Sequence, residues 1–221
     1  MSDDKQLQAR VIDELDWEPS VDSAHIGVAA KNGVVTLTGF VQSYPERAAA
    51  ERVARRVVGV KAIAEEIEVR LPNAPKRADD EIAERATKIL AWDIEVPDDT
   101  IGVKVENGVV TLTGTVAYQF QKAAAEADVR RLGGVRGVIN LIQLEPVSRP
   151  PVDPDIIQQK IEAALRRSAE IEASRIWITA DGGVATLRGQ VRTWFERSAA
   201  ENAAWSAPGI SEVRNEISVQ P

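Results

Sequence analysis

Acid–base, nucleophilic and metal chemistry each need particular side chains at particular spacings, and this chain offers few of them. Cysteine is absent and His25 is the single histidine. Disulfides, thiolate nucleophiles, cysteine-ligated zinc or iron–sulfur sites and multi-histidine metal sites therefore cannot be built from this chain alone. His25 directly precedes an alternating apolar stretch that begins at Ile26. That places it at an exposed strand edge, as a solvated imidazole. Adjacent acids recur at Asp3-Asp4, Glu65-Glu66, Asp79-Asp80 and Asp98-Asp99. Neighbouring residues on a helix do not share a face, and acids in a first helical turn suit the helix dipole. These pairs read as solvated ends, not as a general acid and base. No EF-hand loop, P-loop or dinucleotide fingerprint occurs. Glu51, Glu126 and Glu201 each follow a basic residue, Arg47, Lys122 or Arg197, by four positions. That is the spacing of a helix-face ion pair worth ~0.3 kcal/mol. The expectation is no enzyme, no cofactor and no metal site.

Surface-seeking residues are more informative. There are five tryptophans. Trp17 and Trp92 each follow an amphipathic stretch and have two readings: they cover an open end of the core, or they anchor the chain at a membrane boundary or a protein contact, where an indole is at home. Arginines cluster at Arg52, Arg55 and Arg56, at Arg130 and Arg131 with Arg136, and at Arg166, Arg167 and Arg175. Basic residues near anionic headgroups contribute ~1 kcal/mol each, but acids dilute every cluster, and solvated helix faces are the competing reading. The candidate lipid- or partner-binding residues are Trp17, Trp92, Trp177, Arg52, Arg55, Arg56, Arg130 and Arg131.

The bulk numbers agree with a folded protein of modest surface charge. The 221 residues are 44% hydrophobic and 28% charged, a globular balance. With 27 basic and 34 acidic residues the formal charge is −7, which gives no general attraction to phosphate and disfavours nucleic acid as a partner. The start Met1-Ser2-Asp3-Asp4-Lys5-Gln6 lacks the basic and apolar parts of a secretory signal. No stretch approaches the ~18 apolar residues of a spanning helix. The expected location is cytoplasmic.

The strongest signal is repetition. NGVVTLTG spans Asn32–Gly39 and again Asn107–Gly114, and GGVATLRG spans Gly182–Gly189, at a constant offset of 75 residues. The register holds without gaps from Leu7, Ile82 and Ile157 to Ile67, Ile142 and Ile217. Length alone suggests one or two domains; the repeat says three, at 1–71, 79–146 and 153–221. Proline-bearing seams at Pro72–Arg77 and Pro146–Pro154 read as semi-rigid spacers. Units near 70 residues have marginal cores, so the three are expected to pack on one another.

Within a unit the periodicity changes. Leu7, Val11 and Leu15, with Ile12 widening the stripe, make an amphipathic helix that Trp17-Glu18-Pro19 ends. Ile26, Val28 and Ala30 alternate as a strand, Asn32-Gly33 supplies a tight hairpin turn, and Val34–Val41 returns. Ser43 with Glu46, and Thr193 with Glu196, announce a second helix through a capping box. Tyr118 is a poor cap at the same place. That helix ends at Gly59, a left-handed stop, and Ala62–Val69 is a last strand. Alanine at Ala50, Ala125 and Ala200 lets the second helix lie close on the sheet. The expected fold class is α+β: three tandem α-β-β-α-β units, each a three-stranded mixed sheet with two helices on one face. Trp177, between Ile176 and Ile178, is expected to project from the uncovered sheet face and to be buried there against another unit or another chain.

The α-β-β-α-β order, the GVVTLTG strand and the alanine-rich helix ending in Gly-Val resemble the BON domain family in all three units. What that resemblance implies is a non-catalytic bacterial module associated with phospholipid or membrane interaction, envelope integrity and osmotic stress. The expected function is a tandem binding module making weak contacts with a phospholipid surface or another protein, since linked weak sites gain avidity. The alternative is a cytoplasmic sensor of a cation such as potassium, or of an osmolyte, that uses backbone carbonyls at the hairpin and cap glycines.

Overall fold

A computed structural model describes residues 3–70, 79–145, 154–167, 175–207 and 209–220. The seams read at Pro72–Arg77 and Pro146–Pro154 lie outside the described residues, except for Pro154. Unit 1 runs α1 (Asp3–Trp17), β1 (Ile26–Lys31), β2 (Val34–Val41), α2 (Tyr44–Arg56) and β3 (Ala62–Val69). Unit 2 runs α3 (Asp79–Trp92), β4 (Ile101–Glu106), β5 (Val109–Val116), α4 (Gln119–Arg130), β6 (Gly137–Asn140) and β7 (Gln143–Leu144). Unit 3 runs α5 (Pro154–Arg167), β8 (Ile176–Asp181), β9 (Val184–Val191), α6 (Trp194–Trp205) and β10 (Glu212–Val219). In each unit the hairpin's return strand is central, antiparallel to the first strand and parallel to the last. This is the α+β mixed-sheet architecture that the periodicity implies.

The core follows from the two periods. Leu7, Val11 and Leu15 are buried along α1, as are Ile82, Ala86 and Leu90 along α3 and Ile157, Ile161 and Leu165 along α5. Ile12 falls off this stripe and is exposed. It adds a fourth apolar position to a face that three residues already fill. On the central strands Val35 with Leu37, Val110 with Leu112, and Ala185 with Leu187 are wholly buried. Thr38 and Thr113 point out. Ala50, Ala125 and Ala200 are also wholly buried, which brings each second helix down onto its sheet.

Helix starts obey local chemistry. The Ser43 and Thr193 hydroxyls accept the N–H of Glu46 and Glu196 at 3.3 and 3.1 Å. The glutamates reach one residue further back than in a standard capping box, to the N–H of Gln42 and Arg192 at 2.9 Å. At Tyr118 the roles invert, with Gln121 Oε1 accepting the Tyr118 N–H at 3.0 Å. The last strand of unit 2 departs from expectation. Its ladder breaks between Asn140 and Gln143, although Leu141 N–H still donates to Leu112 O at 2.8 Å, so the chain's path continues beside β5.

The units meet through their second helices. Trp194, the first residue of α6, packs on the core of unit 1 and donates its indole N–H to Lys61 O at 2.9 Å. Arg56, the last residue of α2, lies 5.4 Å from the ring centre of Phe195. Tyr44, the first residue of α2, packs on the core of unit 2, with Arg130 5.9 Å from its ring centre. Trp177 projects from the outer face of β8 as its neighbours Ile176 and Ile178 turn inward, and it is 66% exposed. That corrects the expectation of burial against another unit.

Gly39, Gly114 and Gly189 close the three hairpin-strand motifs with φ of 111°, 123° and 140°. A Cβ on each would stand 2.0 Å from the carbonyl oxygen of His25, Thr100 or Arg175. Gly182, in a hairpin turn at φ 53°, has nothing within 4 Å of its added Cβ. Gly189→Ala should lower unfolding free energy by ~3 kcal/mol or more, through steric overlap and strain. Gly182→Ala should cost about 1 kcal/mol, the left-handed penalty alone. Urea unfolding of the two variants checks this, and equal losses would show that the close carbonyl does not set the requirement.

Candidate functional site

Trp17 and Trp92 end α1 and α3 and are 86% and 88% exposed. They do not close the end of the core. After each helix a turn, with Val21 N–H on Glu18 O and Val96 N–H on Asp93 O, both 3.1 Å, sends Val21 and Val96 inward to that task. The indoles are left in solvent at the same repeat position of two units.

The acid that follows each indole, Glu18 or Asp93, has charged neighbours. In unit 1 the Ser20 hydroxyl donates to Glu18 Oε1 at 2.6 Å. That bond, then the Ser20 N–H, and then the nearby Arg52 and Arg56 guanidinium groups, hold the Glu18 carboxyl below the usual range. In unit 2 Asp93, next to Trp92, faces Asp128 of α4, with Arg131 close by. Burial, then the hydrogen bond and charge of Asp93, push the Asp128 carboxyl up to about 6, against the pull of Arg131. The fold thus brings Arg52 and Arg56 near Glu18, the residue after Trp17, and brings Asp128, with Arg131 near it, up to Asp93, the residue after Trp92. In unit 3 Arg167 stands at the tryptophan position and Ser206 at that of Arg56 and Arg131.

The other candidates are less free. Arg55 pairs with Glu51 at 2.6 Å, and Arg130 with Glu126. Arg56 and Arg130 also face aromatic rings of neighbouring units. Trp177 sits on a different surface, the outer sheet face of unit 3. Its strand partner is Arg188, whose Nε donates to Glu216 at 2.7 Å. Beside it Arg175, Gly189, Gln190 and Ser218 line an open hollow of about 390 Å³. The equivalent place in unit 1 is filled by a stack, His25 on Phe40 at 4.5 Å with Arg70 4.6 Å over the same ring. His25 is exposed there and faces no carboxylate among the contacts described.

The glutamates at 51, 126 and 201 do not pair with the basic residue four positions before them. Arg47 instead crosses to Glu65 on β3, donating through Nε at 2.8 and 2.6 Å, and this bond holds its guanidinium still more firmly protonated. In units 2 and 3 the strand residue is Asn140 or Asn215. Its amide donates to the Lys122 or Arg197 carbonyl at 3.0 and 3.2 Å, and to Glu126 or Glu201 at 3.2 and 3.0 Å. The reason is that half-buried polar strand atoms need partners, and only the overlying helix can supply them. Sequence reading missed this lock, though Glu65, Asn140 and Asn215 share the 75-residue spacing. It also missed Asp79, read as a solvated end, whose carboxylate accepts the N–H of Asn107 and Gly108 at 2.8 and 2.9 Å and ties α3 to a hairpin tip. Among the described residues no group of three or more His, Asp or Glu side chains could hold a metal ion, and no helix is long and apolar enough to cross a membrane.

Comparison with known proteins follows the repeat. The BON domain family model matches residues 3–70, 78–146 and 153–221. Osmotically-inducible protein Y of Escherichia coli strain K12 is 35% identical over 143 residues, covering 62% of this chain and 71% of that protein. Two solved structures of CdsD, a structural protein of the type III secretion system of Chlamydia trachomatis, align at TM-scores of 0.27 and 0.29. They share 14% and 16% identity, cover 100% and 98% of this chain, and are themselves covered over 100% and 93%. At those scores they carry no argument about this chain.

The Asp128 carboxyl gives a test of the Trp92 end. A carboxyl whose folded pKa is raised to about 6, above the unfolded ~3.9, binds its proton more tightly when folded. It costs stability above pH 6, and that cost fades as pH falls towards 4. Asp128→Asn should raise the melting temperature at pH 7.5, by ~1 kcal/mol or less of stability because solvent screens the pair. The gain should vanish near pH 4.5. Thermal melts across that range check it; a pH-independent difference would mean Asp93 does not act on Asp128 by charge.

Proposed function

We propose that this chain, which belongs to the BON domain family in all three of its units, is a non-catalytic binding module of osmotic-stress physiology that makes weak, multivalent contact with a phospholipid surface. Support for the stress setting comes from the likeness to osmotically-inducible protein Y. The observation that carries the surface contact is the pair Trp17 and Trp92. Two large indoles at one repeat position are left in water, with Arg52 near Glu18, the residue after Trp17. An indole gains area and keeps its N–H wet at a headgroup boundary. The formal charge of −7 and the paired state of Arg55 and Arg130 keep the electrostatic part small. Two linked weak sites compensate through effective concentration.

Vesicle flotation tests this directly. The chain should float with anionic phosphatidylserine-containing vesicles at low salt and less with neutral ones. Trp17→Ala with Trp92→Ala should lose most of that binding without a change in melting temperature, since both side chains are exposed. No flotation with either vesicle at low salt would sink the lipid reading.

A further inference from the structure

One place on the outer sheet face is closed by an aromatic stack in unit 1 and is an open hollow in unit 3. In unit 1 Phe40 occupies it, with His25 on its ring at 4.5 Å between ring centres and the Arg70 guanidinium 4.6 Å from the same ring. In unit 2 the residues at those repeat positions are Thr100, Thr115 and Glu145, and the Thr115 hydroxyl donates to Glu145 Oε1 at 3.4 Å. In unit 3 they are Arg175, Gln190 and Gln220. With glutamine in place of the ring, the surface sinks to a hollow of about 390 Å³ lined by Arg175, Trp177, Gly189, Gln190 and Ser218. That volume falls within the ~300–1,000 Å³ of small-ligand sites.

Unit 3 also adds an indole. Trp177 stands where units 1 and 2 have Gly27 and Gly102. Its ladder partner Arg188 is drawn to Glu216, donating through Nε at 2.7 Å, and the indole is 66% exposed at the wall of the hollow. The other lining side chains are polar. Gln190 and Ser218 are partners across the ladder of β9 and β10. Gln190 brings an amide that donates and accepts, and Arg175 a guanidinium that donates. Ser218 gives its hydroxyl proton to Gly189 O at 3.2 Å, so its oxygen can accept from a ligand. Among the described residues no carboxylate lines the hollow.

We infer that this hollow is a binding site for a neutral sugar ring. A sugar ring carries C–H bonds on one face and hydroxyls around its rim, and each hydroxyl both donates and accepts. One indole wall beside an amide, a hydroxyl and a guanidinium matches that division. The indole covers the C–H face and buries apolar area, while the polar side chains exchange hydrogen bonds with the rim. A phosphorylated ligand is opposed by the formal charge of −7. A flat aromatic ligand has two apolar faces and would keep one in water, because the lining holds a single ring. The site lies apart from Trp17 and Trp92 and does not depend on how they are read.

Nuclear magnetic resonance of the isotope-labelled chain with glucose, galactose, N-acetylglucosamine, cellobiose and adenosine tests this. The Trp177 indole N–H signal should shift with at least one of the sugars, and those of Trp17 and Trp92 should stay in place. Affinity should be on the order of millimolar, as suits one stacking face in an open hollow. Trp177→Ala, read on the Gln190 backbone N–H, should weaken binding about tenfold. Gln190→Phe, at an exposed position, restores the ring of unit 1, keeps Trp177 and should abolish the response with the melt unchanged. Vesicles carrying galactosylceramide separate the two sources of such a ring: a response to free sugars places the ligand in solution, and binding to these vesicles alone, lost in Gln190→Phe, places it on a lipid headgroup. A chain that responds to neither the free sugars nor the glycolipid overturns the inference. So does a response to adenosine alone, or sugar binding that Gln190→Phe leaves intact.

Discussion

Each unit depends on one close approach of backbone to backbone. Where the central strand passes the start of the first strand, Gly39, Gly114 and Gly189 lie against the carbonyls of His25, Thr100 and Arg175, nearer than any side chain permits. That contact fixes the pairing Ile26 with Gly39, Ile101 with Gly114 and Ile176 with Gly189. Once the register is set, the two-residue period does the rest: a slip by one would carry Leu37, Leu112 and Leu187 out of the core. The other end of the hairpin fixes the last strand. The carbonyls of Gly33, Gly108 and Gly183 accept the N–H of Lys61, Arg136 and Ser211 at 2.8 Å. The parallel strand is thereby seated before its ladder begins. The helices then have a single face on which to bury their stripes.

This arrangement ties down one side of the sheet and leaves the other free to diverge. Inward positions repeat almost unchanged from unit to unit. Outward positions do not, and at one ladder position both partners change together. Gly27 and Gly102 face Thr38 and Thr113 across the ladder, so tightly that a Cβ would meet the threonine Oγ1 at 2.7 and 2.9 Å. In unit 3 the pair is Trp177 and Arg188. The long arginine swings away to Glu216 and leaves room that threonine, fixed at Cβ, does not. A hydrogen-bonded Gly–Thr pair and an ion-paired Arg beside an indole are two solutions to one steric problem, with very different surfaces.

The sequence made the fold legible because both periods, the turn glycines and the caps agree with each other at every level. Leu7, Val35, Ala50 and Ile67 could each be assigned from pattern, and the 75-residue echo tested each assignment twice more. What stayed hidden depends on where chain segments meet. Periodicity places Trp17 at the end of a helix, but only the turn at Glu18–Val21 shows that valine fills the core and the indole is released. Spacing suggests that Arg47 meets Glu51; the nearness of β3 gives it Glu65 instead. Tyr44 and Trp194 carry no local mark of the interfaces they make, because the partners lie in other units. Hydrophobic pattern reports which way a residue faces relative to its own sheet, and says nothing of what stands beyond that sheet.

The arginine-rich end of the second helix shows how those two levels interact. Basic residues in a last helical turn are favoured by the unsatisfied carbonyls there, which accounts for Arg55, Arg56 and Arg130 without any partner. As a cluster in sequence they resemble an anion-binding patch. In the folded chain most of that charge is already engaged: Arg55 by Glu51, Arg130 by Glu126 and the ring of Tyr44, Arg56 by the ring of Phe195. A guanidinium stacked on an aromatic face is poorly placed to follow a mobile anion, since leaving the ring forfeits both the stacking and the interface around it. The same end of the helix therefore holds the units together first, and what it can offer to an outside surface is chiefly the exposed area of the neighbouring indoles.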